Sequence, residues 1–122
     1  MLARLTTPFR ARMADAITGA VSAALTPQNA VLGNAAAGRA PRDTLYDPNP
    51  RAATLTVTRN AQHEVTVTAI IPAGQDAVTF DEIGIRAGDG TVLLHATLPQ
   101  QTYAQGVEGR FEFTLNPEAY DA

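Results

Sequence analysis

Two adjacent carboxylates, Asp81 and Glu82, have the residue types that acid–base catalysis uses. A catalytic pair needs a shared pocket and two carboxyl groups that titrate at different pH values. Neighbouring residues of a regular strand point to opposite faces, and no nucleophile motif accompanies this pair. We therefore expect no enzymatic activity, and we expect Glu82 to accept hydrogen bonds from backbone N–H groups of the 33–45 segment.

The other reactive residue types are few. His63 and His95 are the only histidines, and they lack the spacing of a metal motif. We interpret both as surface residues of strands. Because His95 shares its strand face with Leu93 and Thr97, a subunit contact is the alternative for His95. Ser22 is the only serine and falls in a predicted helix, and there is no cysteine. The sequence predicts neither a metal site nor a cofactor.

Two further patterns could suggest a phosphate-binding loop or a calcium site, but neither fits its motif. The stretch GNAAAG at 33–38 has phosphate-loop glycines, but Arg39-Ala40 stands where lysine and a hydroxyl residue are required. Four aspartates lie in turn-rich segments without the spacing of a calcium loop, which indicates turn chemistry. They are Asp43, Asp47, Asp76 and Asp89.

Composition narrows the class of protein. The chain has 122 residues, 45% of them hydrophobic, which predicts one domain over 1–122. A net charge of −3 argues against a nucleic-acid partner, which needs clustered positive charge. No apolar run reaches membrane-spanning length, and arginines interrupt any signal-peptide core, so we expect no membrane partner and retention in the compartment of synthesis unless the chain leaves within a larger particle.

The N-terminal part predicts one helix over about 8–25. Thr6 or Thr7 can cap it, Pro8 suits its first turn, and Pro27 lies beyond its end. Apolar residues recur at spacings of three and four, which predicts packing on the chain's own sheet, with packing on a neighbouring subunit as the alternative. They are Phe9, Met13, Ala16, Ile17, Ala20, Val21, Ala24 and Leu25.

The segment 26–50 predicts a long loop because glycine and proline are frequent in it. Ala30-Val31-Leu32 can form a brief strand inside it. The loop holds too little apolar material for its own core, so we expect a partner surface to order it. Its apolar anchors are Val31, Leu32, Leu45 and Tyr46.

Residues 51–116 predict an antiparallel β region. Apolar and polar residues alternate on both sides of the turn at 60–62, and a second hairpin over 82–98 reverses at Gly88-Asp89-Gly90. The apolar positions change parity between Phe80 and Ile83, which indicates a β-bulge at Asp81-Glu82. The expected fold is mainly β with one N-terminal helix: an antiparallel sandwich or open barrel with the helix beside it.

A set of motifs resembles a known family. Gly33 through Asp43-Thr44-Leu45, then two alternating strands, then Glu82-Ile83-Gly84-Ile85 with its Gly-Asp-Gly-Thr reversal, is similar to the small helix-plus-β domains of tailed-bacteriophage tail-fibre and baseplate proteins. Where the glycine-rich loop of that family usually carries Gly-Asp-Gly, this chain has Gly33-Asn34-Ala35.

The resemblance implies a structural role in a virion tail, made in the host cytoplasm. The chain would be an attachment or adaptor part of a baseplate or tail fibre, assembling with itself, as a trimer, and with other tail proteins. The assembly residues would be Glu82, Asp81 and the four apolar anchors. A small receptor- or carbohydrate-binding β module is the alternative, although tryptophan is absent and only three tyrosines, Tyr46, Tyr103 and Tyr120, could stack on a sugar.

Overall fold

A computed structural model of the chain describes residues 1–20, 24–72, 74 and 76–115. Strands make up 48% of the described residues, and one helix lies near the N-terminus, which confirms the predicted fold class. In chain order the elements are β1 (Leu2–Leu5), α1 (Thr7–Thr18), β2 (Asn29–Gly33), β3 (Arg51–Arg59), β4 (Val65–Ile71), β5 (Val78–Arg86), β6 (Val92–Tyr103) and β7 (Gly109–Leu115).

All seven strands form one sheet in the order β1-β6-β5-β2-β3-β4-β7, and every neighbouring pair is antiparallel. The sheet curls into a half-barrel, so the open barrel was the better of the two predicted architectures. Curling lets a single sheet bury one of its faces against itself. We call that concave side the inner face and the convex side the outer face.

The main hydrophobic core lies on the inner face. Apolar side chains at alternate positions of β2, β4, β5, β6 and β7 meet there, as strand periodicity requires. On β7, Phe113 is buried and Phe111 packs against the same core, while Arg110 and Glu112 are exposed. The buried members are Ala30, Leu32, Val67, Ala69, Ile71, Val78, Phe80, Ile83, Ile85, Leu94, Ala96, Leu98 and Phe113.

Both predicted hairpins are present. β3 pairs with β4, and β5 pairs with β6 around the reversal at 87–91. The register between β5 and β6 shifts between Phe80 and Glu82, which confirms the predicted bulge. His63, predicted on a strand, instead lies in the turn between β3 and β4 with a φ of 64°. It is exposed, as expected.

Two strands lie outside the predicted β region. β2 was expected as at most a brief strand in a loop, yet it occupies the middle of the sheet, between β5 and β3. β1 was not predicted at all, since four residues carry too little periodicity and the strand forms by pairing with β6. The long loop is therefore shorter than predicted, and we refer to residues 34–50 as the 34–50 loop.

The helix is also shorter than predicted. α1 ends at Thr18, not near residue 25, because Gly19 adopts a left-handed φ of 80° and its N–H bonds to the Ala16 carbonyl. Ala24 and Leu25 are not helical, and residues 21–23, including Val21 and Ser22, lie outside the described residues. Its N-terminus follows the prediction, with Thr6 as the cap.

The N-terminal half of α1 packs on the chain's own sheet. Phe9 is buried with Leu93 and Ala87, whereas Ile17 on the predicted stripe is 79% exposed. Thr6 is fully buried; its hydroxyl donates to the Val92 carbonyl at 2.6 Å and accepts from the Phe9 N–H. The cap therefore fastens the helix to β6. The part of the chain that the structure describes contains no helix long and apolar enough to cross a membrane.

The turn between β5 and β6 is tied to the helix by Asp89. Its carboxylate accepts from the Thr91 N–H at 3.0 Å and from the Arg12 guanidinium at 2.8 Å. The Thr91 backbone bond, followed by the Arg12 bond, lowers the pKa of Asp89 from 3.8 to about 2. Arg12 also donates to the Ala24 carbonyl, so the same side chain holds the segment after the helix.

This geometry predicts a low titration midpoint for Asp89. Because the folded-state pKa lies below the unfolded value, its stabilisation is present above pH 3.8 and is lost as the pH falls toward 2. An NMR titration of the Asp89 carboxyl carbon should give a midpoint near 2. Arg12→Gln should raise that midpoint only part of the way, because the Thr91 N–H remains. A wild-type midpoint at 3.8 would contradict the assignment.

Candidate functional site

The 34–50 loop covers the outer face of β2, β5 and β6. Ile83 and Ile85 belong to the inner core, so Glu82 and Gly84, which alternate with them, face outward under the loop. On β6, His95 alternates with the core residues Leu94 and Ala96 and also faces outward. Glu82 and His95 therefore lie side by side in a polar network beneath the loop.

Glu82 is the centre of the network and is fully buried. Its Oε1 accepts from the Tyr46 N–H at 2.8 Å, and its Oε2 accepts from the Asp47 N–H at 2.9 Å. His95 Nε2 lies 2.8 Å from the same Oε1. The expected anchoring of loop N–H groups is present, although the donors follow the 33–45 segment instead of lying in it. A buried carboxylate needs such donors, because burial without them costs several kcal/mol.

His95 is buried, not exposed as the sequence analysis predicted. Its Nδ1 accepts a hydrogen bond from the Arg42 backbone N–H at 2.9 Å. An imidazole nitrogen that accepts carries no proton, so the ring proton lies on Nε2 and is donated to Glu82. The alternation pattern could not reveal this burial, because the covering segment comes from a distant part of the sequence.

Asp81 holds the opposite end of the loop. Its two oxygens accept from the Ala36 and Ala37 N–H groups at 3.0 and 2.9 Å. Ala37 has a φ of 50°, a left-handed conformation that is costly for alanine, and the bond to Asp81 helps to hold it there. The bulge lets Asp81 and Glu82, adjacent in sequence, bind two separate parts of one loop.

Two glycines make room for these contacts. A Cβ on Gly33 would lie 2.7 Å from Glu82 Cγ and Oε2, so a side chain there would displace the carboxylate. A Cβ on Gly84 would overlap Leu45 Cδ1, which rests directly on the glycine backbone. Both positions therefore need glycine for close approach, and Gly84 allows Leu45 to seat the loop against β5.

Tyr46 braces the exposed side of the loop. The guanidinium carbons of Arg39 and Arg42 each lie 3.9 Å from the centre of its ring, and its hydroxyl donates to the Ala40 carbonyl. His95 approaches the same ring at 5.8 Å. Stacking of this kind stabilises by about 0.5–1 kcal/mol per exposed cation. Two guanidinium groups this close leave little of the ring free for another molecule.

Two aspartates of the loop itself complete its fastening. Asp47 accepts from the Asn34 and Asn49 N–H groups, which closes the loop across its base. Asp43 accepts from the Thr7 N–H at 2.9 Å and joins the loop to the start of α1. That backbone bond lowers the pKa of Asp43. Asp47 has the predicted turn role through its bond to the Asn49 N–H, whereas Asp43 instead makes a long-range contact with Thr7.

Five of the six residues predicted for assembly meet in this region; Leu32 instead points into the inner core. Val31 and Leu45 both lie against Gly84. The chain's own carboxylates and imidazole accept hydrogen bonds from backbone N–H groups of the loop. The small apolar content of the loop therefore does not by itself require a partner surface, and association with other chains stays a prediction from the resemblance.

The arrangement suits structural support better than chemistry. Asp81 and Glu82 are buried, and the chain's own N–H groups occupy their oxygens. Within the described residues, no group of three or more acidic, histidine or cysteine side chains could hold a metal ion.

Sequence reasoning missed His95, Arg42 and the two space-making glycines. Gly84, the outward residue next to Glu82 on β5, was an available signal for a segment that lies across the strand. Comparisons of the chain with protein-family models, curated proteins and solved structures found no match.

Proposed function

We propose that this chain is a structural component of a bacteriophage tail or tail-like particle, where it serves as a baseplate or tail-fibre attachment or adaptor protein. The observation that supports the proposal is that the motifs on which the resemblance rests come together in one place in the fold. Three separate parts of the sequence, represented by Gly33, by Leu45 and by Glu82 with Gly84, meet where the 34–50 loop lies on β2 and β5. The motifs that suggest the family thus serve one structural feature, the attachment of the 34–50 loop to the sheet.

The mechanism of this function is assembly. A loop of this length without regular structure is usually either functional or disordered. Here buried hydrogen bonds hold it in one shape, so a partner that binds its outer surface meets a preorganised surface and loses less conformational entropy. The side chains it offers include Asn34, Arg39 and Thr44. Trimeric assembly remains a prediction from the resemblance.

The alternative, a receptor- or carbohydrate-binding module, has less support. Arginines flank Tyr46, and Tyr103 packs in the core against Phe80 and Phe111. Tyr120 lies outside the described residues. No described tyrosine therefore offers the open ring on which sugars usually stack.

A labelling experiment on particles tests the proposed location. Tails or tail-like particles would be purified from the bacterium that carries the gene, and an antibody against this chain would be followed by immunogold electron microscopy. We expect gold at the baseplate or fibre attachment, and deletion of the gene should give particles without fibres. Normal particles from the deletion strain, with no label on wild-type particles, would overturn the proposal.

A pair of variants tests whether incorporation into the particle depends on the position of the 34–50 loop. Gly84→Val should prevent incorporation, because it unseats Leu45, whereas Gly88→Ala lies in an exposed turn with only an ordinary contact to Gln28 and should be incorporated normally. Equal incorporation of both variants would show that the seated loop is not the assembly surface.

A further inference from the structure

Among residues 1–20, 24–72, 74 and 76–115, the curled sheet has two edges without a strand partner, and these edges face each other. Within these residues, β1 pairs only with β6, and β7 pairs only with β4. A cleft of about 330 Å³ lies between them, with Leu94 of β6 also in its lining. Unpaired edges with free N–H and C=O groups are templates for another strand.

Strand direction decides how the gap can be closed. Six antiparallel steps separate β1 from β7 across the sheet, so the two edges run in the same direction. Joining them directly would place one parallel pair in an otherwise antiparallel sheet. A single inserted strand that runs the other way would be antiparallel to both edges and would close the sheet with eight strands.

The lining of the cleft defines the chemistry of that strand. On the inner side the edges present Ala3 and Leu5 from β1 and Phe113 from β7. Leu115 of β7 also lines the cleft and packs against the cluster around Phe9. The inserted strand therefore needs apolar side chains at alternate positions. On its outer side it would lie between Arg4 and Glu112, which favours an acidic residue beside the first and a basic residue beside the second.

The length of the strand follows from the edges. β1 has four residues and β7 has seven, so a segment of four to seven residues can pair with both. A second copy of this chain is a poor donor, because each of its described strands already belongs to its own sheet. Donating one would require that sheet to open.

We propose that the cleft between β1 and β7 binds an extended segment of a different protein chain, which inserts antiparallel to both edges and completes an eight-stranded sheet. The segment carries alternating apolar residues toward Leu94 and polar or charged residues outward. This inference does not depend on the proposed place in a tail particle, because any complex could supply such a strand.

Selection from a display library of random decapeptides on the immobilised full chain tests the proposal, followed by synthesis of the selected peptides. We expect peptides with alternating apolar residues, and in NMR hydrogen exchange they should protect amides of β1 and β7 together. Ala3→Arg, which places a charge in the cleft, should weaken binding about tenfold or more. Leu2→Arg, on the same strand but the opposite face, should change it less than about twofold.

Several results would overturn the proposal. Failure to recover alternating peptides, protection of one edge alone, or equal effects of the two β1 variants would each exclude a strand bound between both edges. Protection of both edges in dilute chain without peptide would show that the chain itself fills the cleft. Protection that appears only as the chain is concentrated would identify a second copy as the occupant.

Discussion

Replacing Glu82 with alanine should lower the free energy of unfolding by about 3–5 kcal/mol. The change leaves three donors without their acceptor: the Tyr46 and Asp47 N–H groups and the Nε2–H of His95. All three face a fully buried position, so solvent cannot replace the bonds without disrupting the loop. For a domain with a typical stability of about 5–15 kcal/mol, this is a large fraction. Urea denaturation measures it as a lower midpoint.

Two control variants separate this effect from loss of charge alone. Glu82→Gln keeps the shape and one acceptor oxygen but turns an amide NH₂ toward an N–H donor. It should therefore lower the free energy of unfolding by less than Glu82→Ala does. Glu112→Ala removes an exposed carboxylate from the same sheet and should change stability by less than about 0.5 kcal/mol. A Glu82→Ala protein with the wild-type midpoint would mean that the carboxylate supports nothing.

Gly84→Ala should destabilise the chain by about 1–3 kcal/mol, because the new Cβ overlaps Leu45 Cδ1 and comes within 3.1 Å of Val31 Cγ2. The direction of the stability change is informative, since alanine in place of glycine in a strand is otherwise slightly stabilising. Removing the obstructing side chain with Leu45→Ala should relieve the overlap. The double variant should therefore be at least about 1 kcal/mol more stable than the sum of the two single effects predicts.

Gly88→Ala is the matched control for this cycle. A Cβ there lies 3.5 Å from Gln28 Cγ, an ordinary contact, and the variant should be neutral or slightly stabilising. If Gly84→Ala behaves like Gly88→Ala, or if the two single effects simply add, Leu45 does not rest on Gly84 and the seating of the loop is wrong.

The sequence predicted those parts of the fold that depend on local periodicity. Strict alternation located β3 and β4, and the parity change at Phe80 located the bulge, because a period of two is readable over a few residues. β1 and the central position of β2 were not predictable in this way. Both are set by pairing with distant strands, and four or five residues carry too weak a pattern to indicate that.

The candidate site was predictable only in part, for a related reason. The bulge marked Asp81 and Glu82 as redirected side chains, and the need to satisfy a carboxylate suggested loop donors. His95 was interpreted as a surface strand residue because it lacks the spacing of a metal motif, whereas the 34–50 loop covers it. Burial by an irregular segment leaves no periodic signal. The expectation of a partner surface counted the apolar anchors of the loop alone, whereas polar groups of the chain also hold the loop.

The central claim is that the chain's own outer-face network, not a partner, holds the 34–50 loop. Native-state hydrogen exchange on dilute, monomeric full chain tests it most directly, at the amides of Ala36, Ala37, Arg42, Tyr46 and Asp47. The account predicts that all five are protected in the monomer, and that Glu82→Ala removes protection first at Tyr46 and Asp47. Exchange at unprotected rates in the monomer, with protection gained only on oligomerisation, would contradict it.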